Sequence, residues 1–105
     1  VRFPEEIDMT NADDLGRTLL DLFADGAATV IVDMSHTTFC ASSGFTALLR
    51  AHAHGPDDGG LAIAAPTRQF ARTAALIGVD QVIQHYATVD DAVAAHGPQL
   101  SRTDP

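Results

Sequence analysis

A chain of 105 residues, 46% hydrophobic and 19% charged, is sized for one domain with one core and is too apolar for intrinsic disorder. Fourteen acids against six bases leave a formal net charge of −8, which opposes nonspecific binding to nucleic acid and favours a partner with a basic docking surface. The single cysteine, Cys40, excludes an internal disulfide and fits a reducing cytoplasm, and no apolar run approaches the roughly 20 residues that span a bilayer.

Val1 to Ile7 reads as a strand, placed at a sheet edge because Pro4 cannot donate to a ladder. Thr10-Asn11-Ala12-Asp13 has the form of a capping box, with Asp in place of Glu or Gln. Leu15, Leu19, Leu22 and Phe23 then recur at helical spacing, and Asp25-Gly26 ends that helix. Thr29 to Met34 is a nearly unbroken run of β-formers, the mark of a central strand covered on both faces. A second helix is predicted from about Ser43 to His54, stopped by Gly55-Pro56 and a turn over Asp57-Asp58-Gly59-Gly60. Leu61 to Ala65 is a short strand. Pro66-Thr67 opens a third helix with Phe70, Ala74 and Ile77 on one face and Gly78 at its end. Val82 to Tyr86 is a last strand, and Thr88-Val89-Asp90-Asp91 repeats the capping-box form ahead of a fourth helix. The polar stretch 98–105 reads as a loose tail on a single domain spanning 1–97.

Strict alternation of strand and helix implies an α/β fold, a largely parallel sheet of about four strands covered by about four helices. Within it, one segment is chemically distinctive. Phe39-Cys40-Ala41-Ser42-Ser43-Gly44-Phe45 places two hydroxyls where a strand hands over to a helix start. Such a turn carries unpaired N–H groups and a partial positive charge, so a serine there is well placed to carry a phosphate. The plainer reading of Ser42 is a helix cap, and Ser43 reads more readily as a first-turn residue than as an acceptor.

Several segments in order resemble the STAS domain, the family of bacterial anti-sigma factor antagonists. They are Glu6-Ile7-Asp8, Asp33-Met34-Ser35, Phe39-Cys40-Ala41-Ser42-Ser43-Gly44, Pro66 with Ile77-Gly78-Val79, and Thr88-Val89-Asp90-Asp91-Ala92. The resemblance implies a STAS-type mixed sheet and a partner switch. The unmodified domain binds an anti-sigma factor that is also a serine kinase, which frees a sigma factor for transcription. Phosphorylation of the motif's first serine dissociates the pair, and a phosphatase resets it. Carried onto this chain, the acceptor is Ser42, less readily Ser43. The partner-binding residues are Asp8, Ala41, Ser42, Ser43, Gly44 and Phe45. Ala41 departs from the family, which usually has Asp there.

The other chemistries are poorly served. The Gly-x-Ser-x-Gly elbow of hydrolases is absent, and so is a Gly-rich phosphate loop with its Lys, so no catalytic residue and no cofactor is expected. The five histidines form no metal-binding spacing. Arg68 and Arg72 share an exposed helical face, read either as solvated or as a docking patch. The alternative functions are a STAS binding or scaffold module that is not phosphorylated, and the regulatory domain of a transport complex.

Overall fold

The computed structural model describes residues 1–57 and 59–100. In chain order its elements are β1 (Glu6–Ile7), α1 (Ala12–Ala24), β2 (Thr29–Asp33), β3 (Phe39–Cys40), α2 (Ser42–His54) and β4 (Gly60–Ala64). They continue with α3 (Arg68–Ile77), a 3-10 turn (Val79–Gln81), β5 (Gln84–Tyr86) and α4 (Val89–Leu100). β2, β4 and β5 form a parallel sheet in that order, with Val30 opposite Leu61 and Ile63 opposite His85. β1 and β3 form a separate two-stranded parallel ladder, Glu6 opposite Phe39 and Ile7 opposite Cys40. The parallel α/β architecture with four helices is the one the alternating pattern implies.

β4 is the middle strand, and all five of its residues, Gly60 to Ala64, are buried. A strand covered on both faces cannot alternate polar and apolar side chains, which accounts for its continuous small and aliphatic run. Two neighbouring residues of β5 show the layers. His85 meets Phe70 of α3, which stacks on Phe45 of α2 with ring centroids 5.1 Å apart, whereas Tyr86 meets His96 of α4. Successive strand residues face opposite ways, so α2 and α3 cover one face and α4 the other. α1 lies beside α2, and its buried Leu19 joins Leu48, Val32 and Ile63 in the core. Burying one such leucine contributes roughly 1.5–3 kcal/mol, so α1 depends on its packing more than on its own propensity.

Some boundaries differ from the sequence expectation. The predicted Val1–Ile7 strand breaks at Pro4. Before it, Arg2 bridges to Asp33, and Phe3 donates its amide to the Asp33 carbonyl at 3.0 Å; after it, β1 pairs with β3 instead. Pro4 contributes only its carbonyl, which accepts from the hydroxyl of the fully buried Thr37 at 2.7 Å. The Thr10 capping box does not form. Asn11 is the N-cap of α1 and makes no side-chain cap bond, because its amide donates to the Glu6 carbonyl and its oxygen accepts from the Asp8 amide. At the second, Thr88 does cap α4, its hydroxyl accepting from the Asp91 amide at 2.9 Å. Thr67 caps α3 by accepting from the Phe70 amide.

Ile77, expected on the buried face of α3 with Phe70 and Ala74, is 55% exposed. It is the last helical residue, and Gly78, in the left-handed region at φ 84°, turns the chain so that Val79 fills the core in its place. The residues after it form the 3-10 turn, so β5 starts at Gln84, not Val82, which is exposed. α4 continues through Gly97 and Pro98 to Leu100, into the stretch read as a tail. The remaining tail, residues 101–105, lies outside the described residues, as does Asp58 of the predicted turn.

Candidate functional site

β1 and β3 run in parallel and end together, and the predicted site is built on those ends. The Ala41 amide donates to the Ile7 carbonyl at 2.8 Å, extending the ladder by one bond. The chain then leaves in two directions, through Asp8 toward α1 and through Ser42 into α2. This shared ending is what sets the early acid and the serine at one end of the molecule.

Ala41 is the N-cap of α2, extended at φ −72° and ψ 167°, and no side chain caps the helix. Its carbonyl accepts from the Gly44 and Phe45 amides. The amides of Ser42 and Ser43, in the first turn, have no intrahelical acceptor. Ser42 is exposed. Ser43 is half-buried, and its Oγ is fully covered with no hydrogen-bond partner. The two neighbouring serines therefore differ sharply in what can reach them. Gly44 lies under the helix start: a Cβ there would come within 2.6 Å of both Cys40 Sγ and Ile7 Cγ2. Phe45 is 3% exposed and belongs to the core through its stack on Phe70. Of the six residues predicted to meet a partner, Asp8, Ala41, Ser42 and Ser43 reach the surface in whole or part, while Gly44 and Phe45 support them from beneath.

Asp8 does not reach the serine through any bond. Its Oδ1 accepts from the Thr10 amide and hydroxyl, which hold its carboxyl below the usual carboxylate range. Its backbone carbonyl accepts from the Asn11 and Ala12 amides, so Asp8 opens α1 as well as marking the site. Cys40, next to the serines, is no nucleophile: burial pushes its thiol up to about 12. Among the described residues no group of three or more His, Cys, Asp or Glu side chains converges as a metal site. No described helix is long and apolar enough to cross a membrane.

Sequence reasoning passed over two sets of residues here. Met9, two residues past β1, is 83% exposed, and Phe39, the first residue of β3, is 54% exposed. Their signal was a large apolar residue in a segment too short to bury it. The other set lines a groove of about 560 Å³ between α1 and α2, where Asp13 and Arg17 face Ser42, Ser43, Thr46 and Arg50. Ser42, Thr46 and Arg50 are four apart in sequence, one stripe of a helix. The residues opposite them are brought in only by helix packing.

The fold has relatives among known proteins. The profile of the STAS domain matches residues 1–92, and the chain belongs to that family. Among solved structures, an anti-sigma factor antagonist from Mycobacterium paratuberculosis superposes with a TM-score of 0.82 at 28% sequence identity, over 90% of this chain and 80% of the other. The Thermotoga maritima protein TM1081 gives a TM-score of 0.79 as a crystal structure, at 18% identity over 89% of this chain and 82% of its own. Its NMR structure gives 0.76, over 76% of its own chain. At that identity the likeness is one of fold. No curated protein sequence matches the chain significantly.

Proposed function

We infer that this domain is an anti-sigma factor antagonist that binds an anti-sigma factor with serine kinase activity and is released from it when Ser42 is phosphorylated, so that sigma-factor-dependent transcription follows its phosphorylation state. The observation that carries this reading is the exposure of Ser42 in the first turn of α2, beside Asp8 and Ala41, while the adjacent Ser43 Oγ is covered. The structural likeness to a mycobacterial anti-sigma factor antagonist supports the class of partner. The docking surface comprises Asp8, Ala41, Ser42 and Ser43, with the exposed Met9 and Phe39 as its apolar edge and Gly44 and Phe45 beneath.

The chemistry belongs to the partner. Its ATP gives up the γ-phosphoryl group: an O–P bond forms to Ser42 Oγ, the bond to ADP breaks, and the hydroxyl proton passes to a base of the kinase. A phosphatase would return the serine by adding water across the new bond and releasing inorganic phosphate. The product carries about −1.5 to −2 added charges at neutral pH on a chain already at −8. Buried in an interface, that charge opposes binding through desolvation and repulsion, and about 1.4 kcal/mol suffices for a tenfold loss of affinity.

Ala41 favours a second reading. A carboxylate at that position would cap α2 and orient the serine; here the helix has no side-chain cap at all. A domain that binds without being switched would show this loss. Incubation with the cognate kinase and ATP, followed by mass spectrometry, separates the two: a phosphate on Ser42 supports the switch, and its absence leaves the constitutive binder. In a binding assay Ser42→Asp is expected to lower affinity at least about tenfold, while Ser42→Ala binds and resists modification. Undiminished binding by Ser42→Asp argues against the switch.

A further inference from the structure

The groove between α1 and α2 contains two arginines that the reading above does not use. Arg17 of α1 and Arg50 of α2 both line it, both are exposed, and among the described residues neither makes an ion pair. Arg17 stands four residues after Asp13, the spacing at which a helical acid and base commonly pair, yet the two do not. Acids outnumber bases 14 to 6 on this chain, yet the two cations that share this groove are both left open to an added anion. Ser42 opens into the same groove.

The register of the two helices puts the cations below the serine. α1 and α2 leave the ends of parallel strands and run side by side. Gly16 packs on Ala47 so closely that a Cβ on the glycine would be 3.3 Å from the Ala47 Cβ. Arg17 therefore lies between the levels of Thr46 and Arg50. Helical Cα–Cβ bonds tilt toward the helix N-terminus, so both arginine side chains leave their helices in the direction of the Ser42 end. Ser42 and Arg50 are roughly 12 Å apart along the axis, a gap shortened from both sides by the phosphate and the leaning side chain. Asp13, at the open end, would push an added anion the same way, down the groove.

We propose that the α1–α2 groove is the seat of the Ser42 phosphoryl group, held there by Arg17 and Arg50. The proposal rests on the reading of Ser42 as the modified hydroxyl and adds to it an intramolecular receptor. The phosphate is then not a bare charge offered to solvent. It joins α1 to α2 by charge-assisted hydrogen bonds and turns part of its negative face away from any phosphatase. The charged groups lining the groove are Asp13, Arg17 and Arg50, and they set the sign of every expected shift.

The test needs no kinase. Phosphoserine is installed at position 42 of the full chain by codon-directed incorporation, and its second ionisation is followed by phosphorus NMR. The wild-type groove is expected to hold the phosphate pKa below its free value of about 6. The double variant Arg17→Gln/Arg50→Gln raises it by about half a unit. Arg17→Lys/Arg50→Lys keeps most of the depression, and Asp13→Asn deepens it. All of these residues are exposed, and circular dichroism confirms that each variant folds. A phosphate pKa indifferent to the glutamine pair overturns the proposal, as does a lysine pair that behaves like the glutamine pair. Failure of the underlying reading looks different: native protein carries no phosphate on Ser42, whatever the groove does to an installed one.

Discussion

Single atoms decide what the neighbours of Ser42 can do. Gly44 is required because α2 begins in contact with the β1–β3 ladder, leaving no space for a methyl group beside Cys40 Sγ and Ile7 Cγ2. Gly44→Ala is expected to lower stability by about 1–3 kcal/mol, read from urea denaturation, and to disturb the Ser42 turn. An unchanged midpoint would show that the helix start can shift without cost. Cys40 has a sulfur beside the serine proposed as the phosphate acceptor but none of a nucleophile's chemistry. With its thiol held up to about 12, it should resist a disulfide-exchange reagent at pH 8 in the folded protein and react promptly in denaturant. Rapid reaction in the native state would mean that the first turn of α2 opens readily. The serine motif was legible from sequence because its residues are contiguous. The different fates of Ser42 and Ser43 were not, since one hydroxyl's exposure depends on the packing of α1, which no local pattern records.

At the scale of elements, the joint between α2 and β4 is sensitive to acid. His52 Nδ1, near the end of α2, accepts the Leu61 amide at 3.0 Å, and Gly60 approaches the same ring with φ +113°. This bond requires neutral imidazole, and burial holds the His52 pKa below its usual value. Burial does the same to His85, outweighing the opposing pull of Asp80. A histidine with its folded pKa depressed gives stability that is fully present above the unfolded value of about 6.5 and is lost as pH falls through the folded pKa. The melting temperature should therefore drop between pH 7 and pH 5. His52→Ala should cost about 1–3 kcal/mol at pH 7 by stranding the Leu61 amide, and should flatten part of that slope. A slope unaltered in the variant would assign the whole effect to His85. The central elements α1, β2 and β4 were readable because their apolar periods are long enough to count. β3 has two residues and no period, and it was missed. The Val1–Ile7 strand was read as continuous because sequence shows that Pro4 lacks an N–H but not that the ladder changes partner there. Ile77 fits the α3 stripe by spacing alone, and the left-handed Gly78 ends the helix before that spacing counts.

Across the whole molecule, parallel strands send every following helix back from the same end, so Asp8, Ser42 and the Thr67 cap of α3 all lie at the carboxyl ends of strands. The fold class follows from alternation, and the general place of the site follows from the class. The groove does not. Arg17 and Arg50 are 33 positions apart in sequence and become neighbours only because Gly16 lets α1 settle onto Ala47. The phosphoryl seat proposed there is a property of the assembled pair of helices, which is why its test reads the phosphate rather than either helix.

Ser42 is carried by the slighter of the two sheets, a two-residue ladder, while the three-stranded sheet holds the buried core. Small cooperative units open at lower free energy than the structure as a whole. Hydrogen exchange at the Ala41 amide should accordingly outpace exchange at Ala62 by orders of magnitude. The kinase proposed for Ser42 could then draw its turn into an extended pose, and the domain need never melt to be read.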